Sequence, residues 1–410
     1  MTAVVLAGGY DQIALVNELK RRGYYVIIVD YFENPPAREA ADRHLRISTL
    51  DHAAVLNVAR ETKAALVTTA CTDQALLTAA YVSQELKLPF PLSHDTAVLV
   101  TDKECMKARM ISCGIPTARY RMVERGGEFT PDWSFPWVVK PADCNSSKGV
   151  KKVLNESEYR SALKQAWQSS RSGRAVVEEF REGRELSVDA QICGGISEIL
   201  LVTCSVKNRH KPSIFPIVQT QYPVELNAKQ TEEIKSIIQT IAKNFELDNT
   251  FLLVQMIATA EGLSVIEFSA RMGGGGKYYL ISMVTGADSI KNYVDSHFKT
   301  MMPLRSQWDG RAFAMNYVYA LPGAFRKIEG MSDLIRENLV EFSCAYKTAG
   351  MEIHAADTSG DRIGGFLVTG AGQEDVRKKT RQADSRLRVL NDAGDDIMIH
   401  GLWNAQDIGE

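Results

Sequence analysis

The sequence predicts a mixed α/β and α+β protein, with a doubly wound parallel sheet at its N-terminus and a larger, hairpin-rich part after it. Three observations carry that prediction. Over residues 1–95 short all-apolar runs alternate with amphipathic helical stretches, the signature of βαβ units. From Trp137 onward the apolar pattern turns to hairpins and period two, the mark of antiparallel strands. Gly23, Pro89 with Pro91, and Gly114 with Pro116 close the helical stretches.

In order, Ala3–Ala7 reads as a buried strand and Gly8-Gly9 as a turn. Ile13–Arg22 is an amphipathic helix ending at Gly23, and Tyr25–Asp30 a second strand. A helix over Ala53–Thr62, a strand over Ala65–Thr69 and a helix over Ala75–Leu86, closed by Pro89 and Pro91, complete the parallel unit. Thr101 and Glu104 have capping-box spacing, which predicts a helix that Gly114 and Pro116 end. Trp137–Lys140 and Ala175–Glu179 predict strands. Leu186, Val188, Ala190 and Ile192 alternate with Ser187, Asp189 and Gln191, which predicts a half-buried strand. Phe251–Thr259 and Leu263–Ala270 predict a hairpin turning through residues 260–262. Strands near Arg311–Ala320 and Arg362–Thr369, with a helix near Gln373–Leu390, predict an α+β tail.

A length of 410 residues suggests two or three domains, each large enough to bury a core without staples. With 48 Lys and Arg against 50 Asp and Glu, the formal charge is −2. That balance argues against a general nucleic-acid binder, and the basic cluster Lys207–Lys211 reads as a solvated loop. No stretch approaches the ~18 apolar residues of a membrane span. The opening M-T-A-V-V-L-A-G-G lacks a basic leader, and the seven cysteines are odd in number without C-x-x-C. Both features point to reduced thiols and the cytoplasm. The histidines show no metal-ligand spacing, and Cys144 reads as a small loop residue.

Three segments concentrate chemistry. In the predicted hairpin Gln255 lies opposite Glu267, on one face with Ser269 and, past the strand end, Arg271. Burying such groups unpaired costs several kcal/mol, so either the face is solvated or protein partners or a ligand with its metal meet them. Asp143–Val150 is a small-residue turn after a strand, whose backbone N–H groups and lysines suit a phosphate. It is not the G-x-x-x-x-G-K-[ST] loop. Gly273–Gly276 permit close backbone approach to a ligand. Gly8-Gly9 with Asp30 lacks G-x-G-x-x-G spacing, which argues against NAD.

Taken together, these pieces resemble the ATP-grasp superfamily, most closely the carboxylate–amine ligases similar to carbamoyl-phosphate synthetase large subunits and bacterial amino-acid ligases. The resemblance covers nearly the whole chain. It rests on T-D-K-E at 101–104, W-V-V-K-P-A-D-C-N-S-S-K-G-V at 137–150, V-V-E-E-F-R-E-G-R-E at 176–185 and V-I-E-F-S-A-R-M-G-G-G-G at 265–276. It implies a pre-ATP-grasp domain over 1–95 and an ATP-grasp domain over 96–300 with a lid at about 116–180. Residues 301–410 would complete the module.

The same resemblance implies roles. Lys103 and Lys140 would contact ATP phosphates, with Ser146, Ser147, Gly149 and Val150 closing over them. Glu178, Glu179 and Phe180 would form the adenine hinge, and Glu185 would accept from the ribose. Glu267, helped by Gln255 and Ser269, would bind Mg²⁺, with Mn²⁺ as a substitute. Arg271 and Lys148 would be the catalytic cations, and Arg271 with Gly273, Gly274, Gly275 and Gly276 would face the carboxylate substrate. Where relatives carry a second acid and an asparagine, this chain has Gln255 and Ser269, so one negative charge is missing.

The implied reaction is ATP-dependent amide or peptide synthesis through an acyl phosphate, with an amino acid among the small-molecule carboxylate and amine substrates. The alternatives are a bicarbonate-using carboxylase and a nucleotide-binding protein with a weakened site. No nucleic-acid or membrane partner is expected, and a homodimer is the expected assembly.

Overall fold

The computed structural model describes residues 1–208 and 214–403. Arg209, His210 and Lys211 of the basic cluster lie outside the described residues. The chain opens with β1 (Thr2–Leu6), α1 (Asp11–Arg21), β2 (Tyr25–Val29), β3 (Arg43–Leu45), α2 (His52–Glu61), β4 (Ala64–Thr68) and α3 (Asp73–Leu86). Its four strands form one parallel sheet in the order β3-β2-β1-β4. Val4, Val5, Val26 and Ile28 are fully buried, as expected of parallel strands covered on both faces. The Gly8 amide donates to Asp30 Oδ2 at 2.7 Å, so the residue that mimics a dinucleotide site ties down the first turn instead.

Two short helices come next, α4 (His94–Thr101) and α5 (Lys103–Ser112). The expected capping box at Thr101 is corrected here. Thr101 is the last residue of α4, its hydroxyl donating back to the Ala97 carbonyl at 2.7 Å. Asp102 is the N-cap of α5, its carboxylate accepting from the amides of Glu104 and Cys105 at 2.9 Å each. An aspartate at the break satisfies the orphan amides of the new helix directly, so the hydroxyl is not needed.

A four-stranded antiparallel sheet, order β5-β8-β6-β7, then forms from β5 (Tyr120–Glu124), β6 (Trp137–Pro141), β7 (Lys151–Val153) and β8 (Arg174–Glu179). Helix α6 (Glu156–Ser169) packs on it through Tyr159, Leu163 and Ala166, against Trp137 and Val139.

The largest sheet holds β9 (Arg184–Cys193), β10 (Ile196–Lys207), β11 (Ile217–Tyr222), β12 (Thr250–Ala258) and β13 (Leu263–Ser269). Helix α7 (Ala228–Asn244) lies between β11 and β12 and buries Ile234, Ile237, Ile238 and Ile241. After β13 come α8 (Lys277–Thr285) and α9 (Ser289–His297), then β14 (Ala312–Val318), β15 (Gly323–Glu329), α10 (Met331–Arg336), β16 (Phe342–Ala345), β17 (Glu352–Ile353), β18 (Gly364–Gly370), α11 (Gln373–Asp384) and β19 (Arg388–Asn391). Strands β14, β18 and β16 extend the large sheet, whose order is β13-β12-β9-β10-β11-β14-β18-β16. The tail therefore shares one sheet with the hairpin of β12 and β13. β15, β17 and β19 form a small separate sheet.

Two further expectations are corrected. β9 is buried on both faces, not one, because Ser187, Asp189 and Gln191 all point into protein. Their polar groups are met inside: Asp189 by Lys277, and Gln191 by the Leu304 amide at 2.7 Å and the Met302 carbonyl at 2.8 Å. The helix expected to reach Leu390 stops at Asp384, and Arg388–Asn391 pairs with β15 as a strand.

Candidate active site

The hairpin of β12 and β13 turns through Thr259–Gly262, where the Thr259 amide donates to the Gly262 carbonyl at 2.9 Å. Ala258 pairs with Leu263, one residue off the expected register. A bulge between Gln255 and Met256 absorbs the offset, so Gln255 still stands opposite Glu267 and Leu253 opposite Ser269. The bulge restores to one face the side chains that the turn would have separated.

Lys103 joins this hairpin to the turn that follows β6. Its ammonium donates to the Cys144 carbonyl at 2.9 Å and to Asn145 Oδ1 at 3.3 Å, and lies 3.7 Å from Glu267 Oε2. The turn that Lys103 grips is held in a costly conformation: Ser146 and Ser147 have φ of 57° and 61°, in the left-handed region. Gly149, at φ 72°, packs so tightly that a Cβ there would lie 2.8 Å from Pro141 Cγ. The Ser146 carbonyl accepts from the Ser359 amide at 3.1 Å, which ties the turn to the tail. Lys148 is exposed, and burial raises the Cys144 thiol above its ordinary value.

Below the turn, Glu178 Oε1 lies 2.8 Å from Lys140 Nζ and 2.8 Å from Lys107 Nζ, and all three side chains are buried. Burial opposes ionisation of this carboxyl, but the two ammonium groups outweigh it and hold it down to about 2. Lys107 is a residue that sequence reasoning missed, although it lies one helical turn after Lys103 on α5 and so faces the same way. Glu179 binds Arg119 and Arg181 at 3.0 and 3.2 Å, and the Phe180 ring lies 3.8 Å from the Lys152 ammonium. Glu185 Oε2 meets Lys207 Nζ at 2.8 Å, while Oε1 is buried without a partner among the described residues, leaving an acceptor for a ligand hydroxyl.

At the far end of β13, Arg271 is buried and gives two parallel hydrogen bonds to Asp73, the first residue of α3. The Ser269 hydroxyl bonds the same carboxylate. Burial would raise the Asp73 carboxyl, and the guanidinium prevails and lowers it. The Gly275 and Gly276 amides donate to Asp11, the first residue of α1, at 3.0 and 3.1 Å. At Gly275, with φ 76°, a Cβ would lie 2.7 Å from the Tyr317 hydroxyl and 3.0 Å from Arg362 Nη1. Arg362 stacks on Tyr317 at 3.5 Å from the ring centre, gives a hydrogen bond to the Ile217 carbonyl at 3.3 Å, and keeps a buried Nε without a partner among the described residues. Beneath the glycine run, Lys277 Nζ lies 2.6 Å from Asp189 Oδ2 in a fully interior pair.

Asp11, Asp73, Lys107, Asp189, Lys277 and Arg362 thus join the residues marked from the sequence. For Asp11 and Asp73 a signal existed. Both follow strands of a parallel sheet, at the carboxyl edge where such folds place their ligands. Nothing in the local sequence distinguishes Arg362.

The donor set fits one Mg²⁺. Glu267 supplies a single carboxylate with the Gln255 amide opposite, and a magnesium ion that keeps waters needs one or two carboxylates plus substrate phosphates. No group of three or more His, Cys, Asp or Glu poised for a metal occurs among the described residues. No described helix is long and apolar enough to cross a membrane.

Known proteins resemble this chain in sequence and in fold. Residues 133–278 match the ATP-grasp domain family model. The formate-dependent phosphoribosylglycinamide formyltransferase of Ignicoccus hospitalis is 24% identical over 405 residues, spanning 95% of this chain and 96% of its own. The enzyme of the same name from Actinobacillus pleuropneumoniae is 29% identical over 182 residues, and the match spans 46% of its length. Among solved structures, L-amino acid ligase from Bacillus licheniformis superposes with a TM-score of 0.78 at 18% identity, covering 95% of this chain and 98% of its own. N5-carboxyaminoimidazole ribonucleotide synthetase from Thermotoga maritima gives 0.72 at 19%, covering 95% and 99%. The protein thus carries an ATP-grasp domain, set in a fold that it shares along its length with these ligases and synthetases.

Proposed function

We propose that the protein is an ATP-dependent carboxylate–amine ligase that phosphorylates a small carboxylate and passes the acyl group to an amine, with an amino acid among its substrates. The observation that carries this reading is the position of Lys103, bonded to the Cys144 carbonyl at 2.9 Å and 3.7 Å from Glu267. One cation there bridges the turn suited to phosphates and the carboxylate suited to a metal.

A carboxylate is a poor acyl donor because oxide is a poor leaving group, and phosphorylation supplies a better one. Catalysis then consists of positioning and charge neutralisation. Lys103 and Lys140 bind ATP phosphates, and Ser146–Val150, with Lys148, close over them and exclude water. Glu178–Phe180 receive the adenine and Glu185 the ribose. Glu267, with Gln255 and Ser269, holds Mg²⁺, which when bound neutralises phosphate charge. Arg271 faces the transferred phosphoryl group, and Gly273–Gly276 face the place where acid and amine meet. Arg362 adds a second guanidinium beside them, with a donor still free for an anion among the described residues.

The relatives named formate-dependent formyltransferase and L-amino acid ligase support an acid of small size and an amine acceptor for this chain as well. The test is ADP release with Mg·ATP over pools of amino acids, formate, other small acids and bicarbonate, with and without hydroxylamine to trap the acyl phosphate as a hydroxamate. Hydroxamate that depends on the pool is the expected result. ADP release with bicarbonate alone would replace the reading with a carboxylase. Stabilisation by ATP with no ADP from any pool would defeat both.

A further inference from the structure

The amine that a ligase of this kind uses enters as an ammonium, which has no lone pair with which to attack an acyl phosphate. Resting on the ligase reading, we propose that Asp11 receives the ammonium of the amine substrate beside Gly274 and accepts its proton.

Asp11 lies at the start of α1 and reaches out of its own sheet to the glycine run after Arg271. A Cβ on Gly274 would lie 3.6 Å from Asp11 Oδ2 and 3.6 Å from the Cys71 carbonyl oxygen. With no side chain in the way, two acceptors face the half-buried backbone at Gly274, complementary to the donors of an ammonium approaching it. The other carboxylates beside Cys71 are committed to cations: Asp73 to Arg271 and Asp189 to Lys277. Asp11 is held instead by two neutral amides, and each of its oxygens retains a lone pair.

Its environment suits a base. Burial raises the Asp11 carboxyl above the ordinary carboxylate range, with the amides of Gly275 and Gly276 and the charges of Arg362 and Arg271 opposing the rise. The remaining titratable groups that face it are Tyr10 and Cys71 from the N-terminal unit, Tyr278 from α8, and Tyr317, Cys344 and Tyr346 from the tail. Burial raises every one of them, so they stay neutral at physiological pH and do not compete for the proton.

The step balances. The ammonium gives one proton to Asp11, and the freed nitrogen lone pair forms the C–N bond at the acyl carbon. The C–O bond to phosphate breaks, with its electrons leaving on phosphate. The second nitrogen proton departs with phosphate, and Asp11 later returns its own to solvent.

Asp11→Asn keeps one oxygen for one of the two glycine amides, gives up the other hydrogen bond and takes no proton. It is assayed with Mg·ATP and an equimolar mixture of the twenty amino acids, reading peptide by mass spectrometry and, in parallel, hydroxamate with hydroxylamine, a nucleophile that is already unprotonated at neutral pH. Peptide formation should fall about 10²-fold or more. It should recover as pH rises into the range where amines are free, while hydroxamate falls by no more than a few-fold. Gly274→Ala, which fills the ammonium space, should raise the amino-acid concentration needed for half-maximal peptide synthesis. Equal loss of peptide and hydroxamate in Asp11→Asn, or unchanged peptide synthesis at neutral pH, overturns the role of Asp11 and leaves it a cap for α8. A wild-type protein that makes neither product from amino acids, nor from formate and the other small acids added to the mixture, overturns the ligase reading itself.

Discussion

Arg271 and Asp73 meet through two parallel hydrogen bonds, the Nε to Oδ1 contact measuring 2.7 Å, across the junction between the parallel sheet and the end of β13. The pair fixes the guanidinium plane before any substrate arrives, and its carboxylate comes from a different sheet unit than the arginine it holds. The N-terminal unit thereby sets the geometry of a cation proposed to act in the ATP-grasp domain.

Asp73→Asn should leave Arg271 mobile and its buried charge poorly compensated. The expected outcome is a loss of about 3–5 kcal/mol in unfolding free energy. In the folded protein, kcat should drop with little change in ATP affinity, because Asp73 touches the arginine and not the Ser146–Val150 turn proposed to close over ATP. Denaturant unfolding and isothermal titration with ATP measure the two effects separately.

Glu178→Gln removes the shared partner of two buried lysines. Mutual repulsion of Lys107 and Lys140 should destabilise the fold by about 3–5 kcal/mol at neutral pH. The wild-type carboxyl is depressed from its ordinary value of 4.5 to about 2, so its contribution is complete above the ordinary value and fades as pH falls between those limits. The variant should lack that acid limb in a plot of melting temperature against pH.

Gln255→Glu places a second carboxylate opposite Glu267. The Mg²⁺ concentration for half-maximal ADP release should fall, at the cost of about 0.5 kcal/mol in metal-free stability from like charges across the strands. Titration of activity with Mg²⁺ at saturating ATP reads the first effect.

Gly149→Ala combines a left-handed backbone with a 2.8 Å approach to Pro141. About 1–2 kcal/mol of strain should fall on the turn proposed to close over ATP. ATP affinity should weaken by roughly tenfold, while melting without nucleotide shifts little. Comparing ATP-induced melting shifts of the two proteins tests this.

Much of this architecture is legible in the linear pattern. The all-apolar runs of β1, β2 and β4 announce strands covered on both faces, and the order of the four motifs announces the ATP-grasp architecture. Glu267 opposite Gln255 follows from strand periodicity, although the bulge that secures it does not. Asp189 reads as an outward residue because alternation cannot reveal whether another element will cover the second face. Only α8, arriving 88 residues later with Lys277, makes that position interior.

Local periodicity carried the fold class and the strands and helices of the N-terminal unit, and motif spacing marked the residues proposed for nucleotide and metal, because both depend on covalent neighbours. Tertiary structure alone decided which charges meet. Asp73 with Arg271, Asp11 with Gly275 and Gly276, and Arg362 with Tyr317 join residues 45 to 265 positions apart. Such pairings depend on how separate sheets pack, and burial then gives them their strength by removing the water that would otherwise screen them.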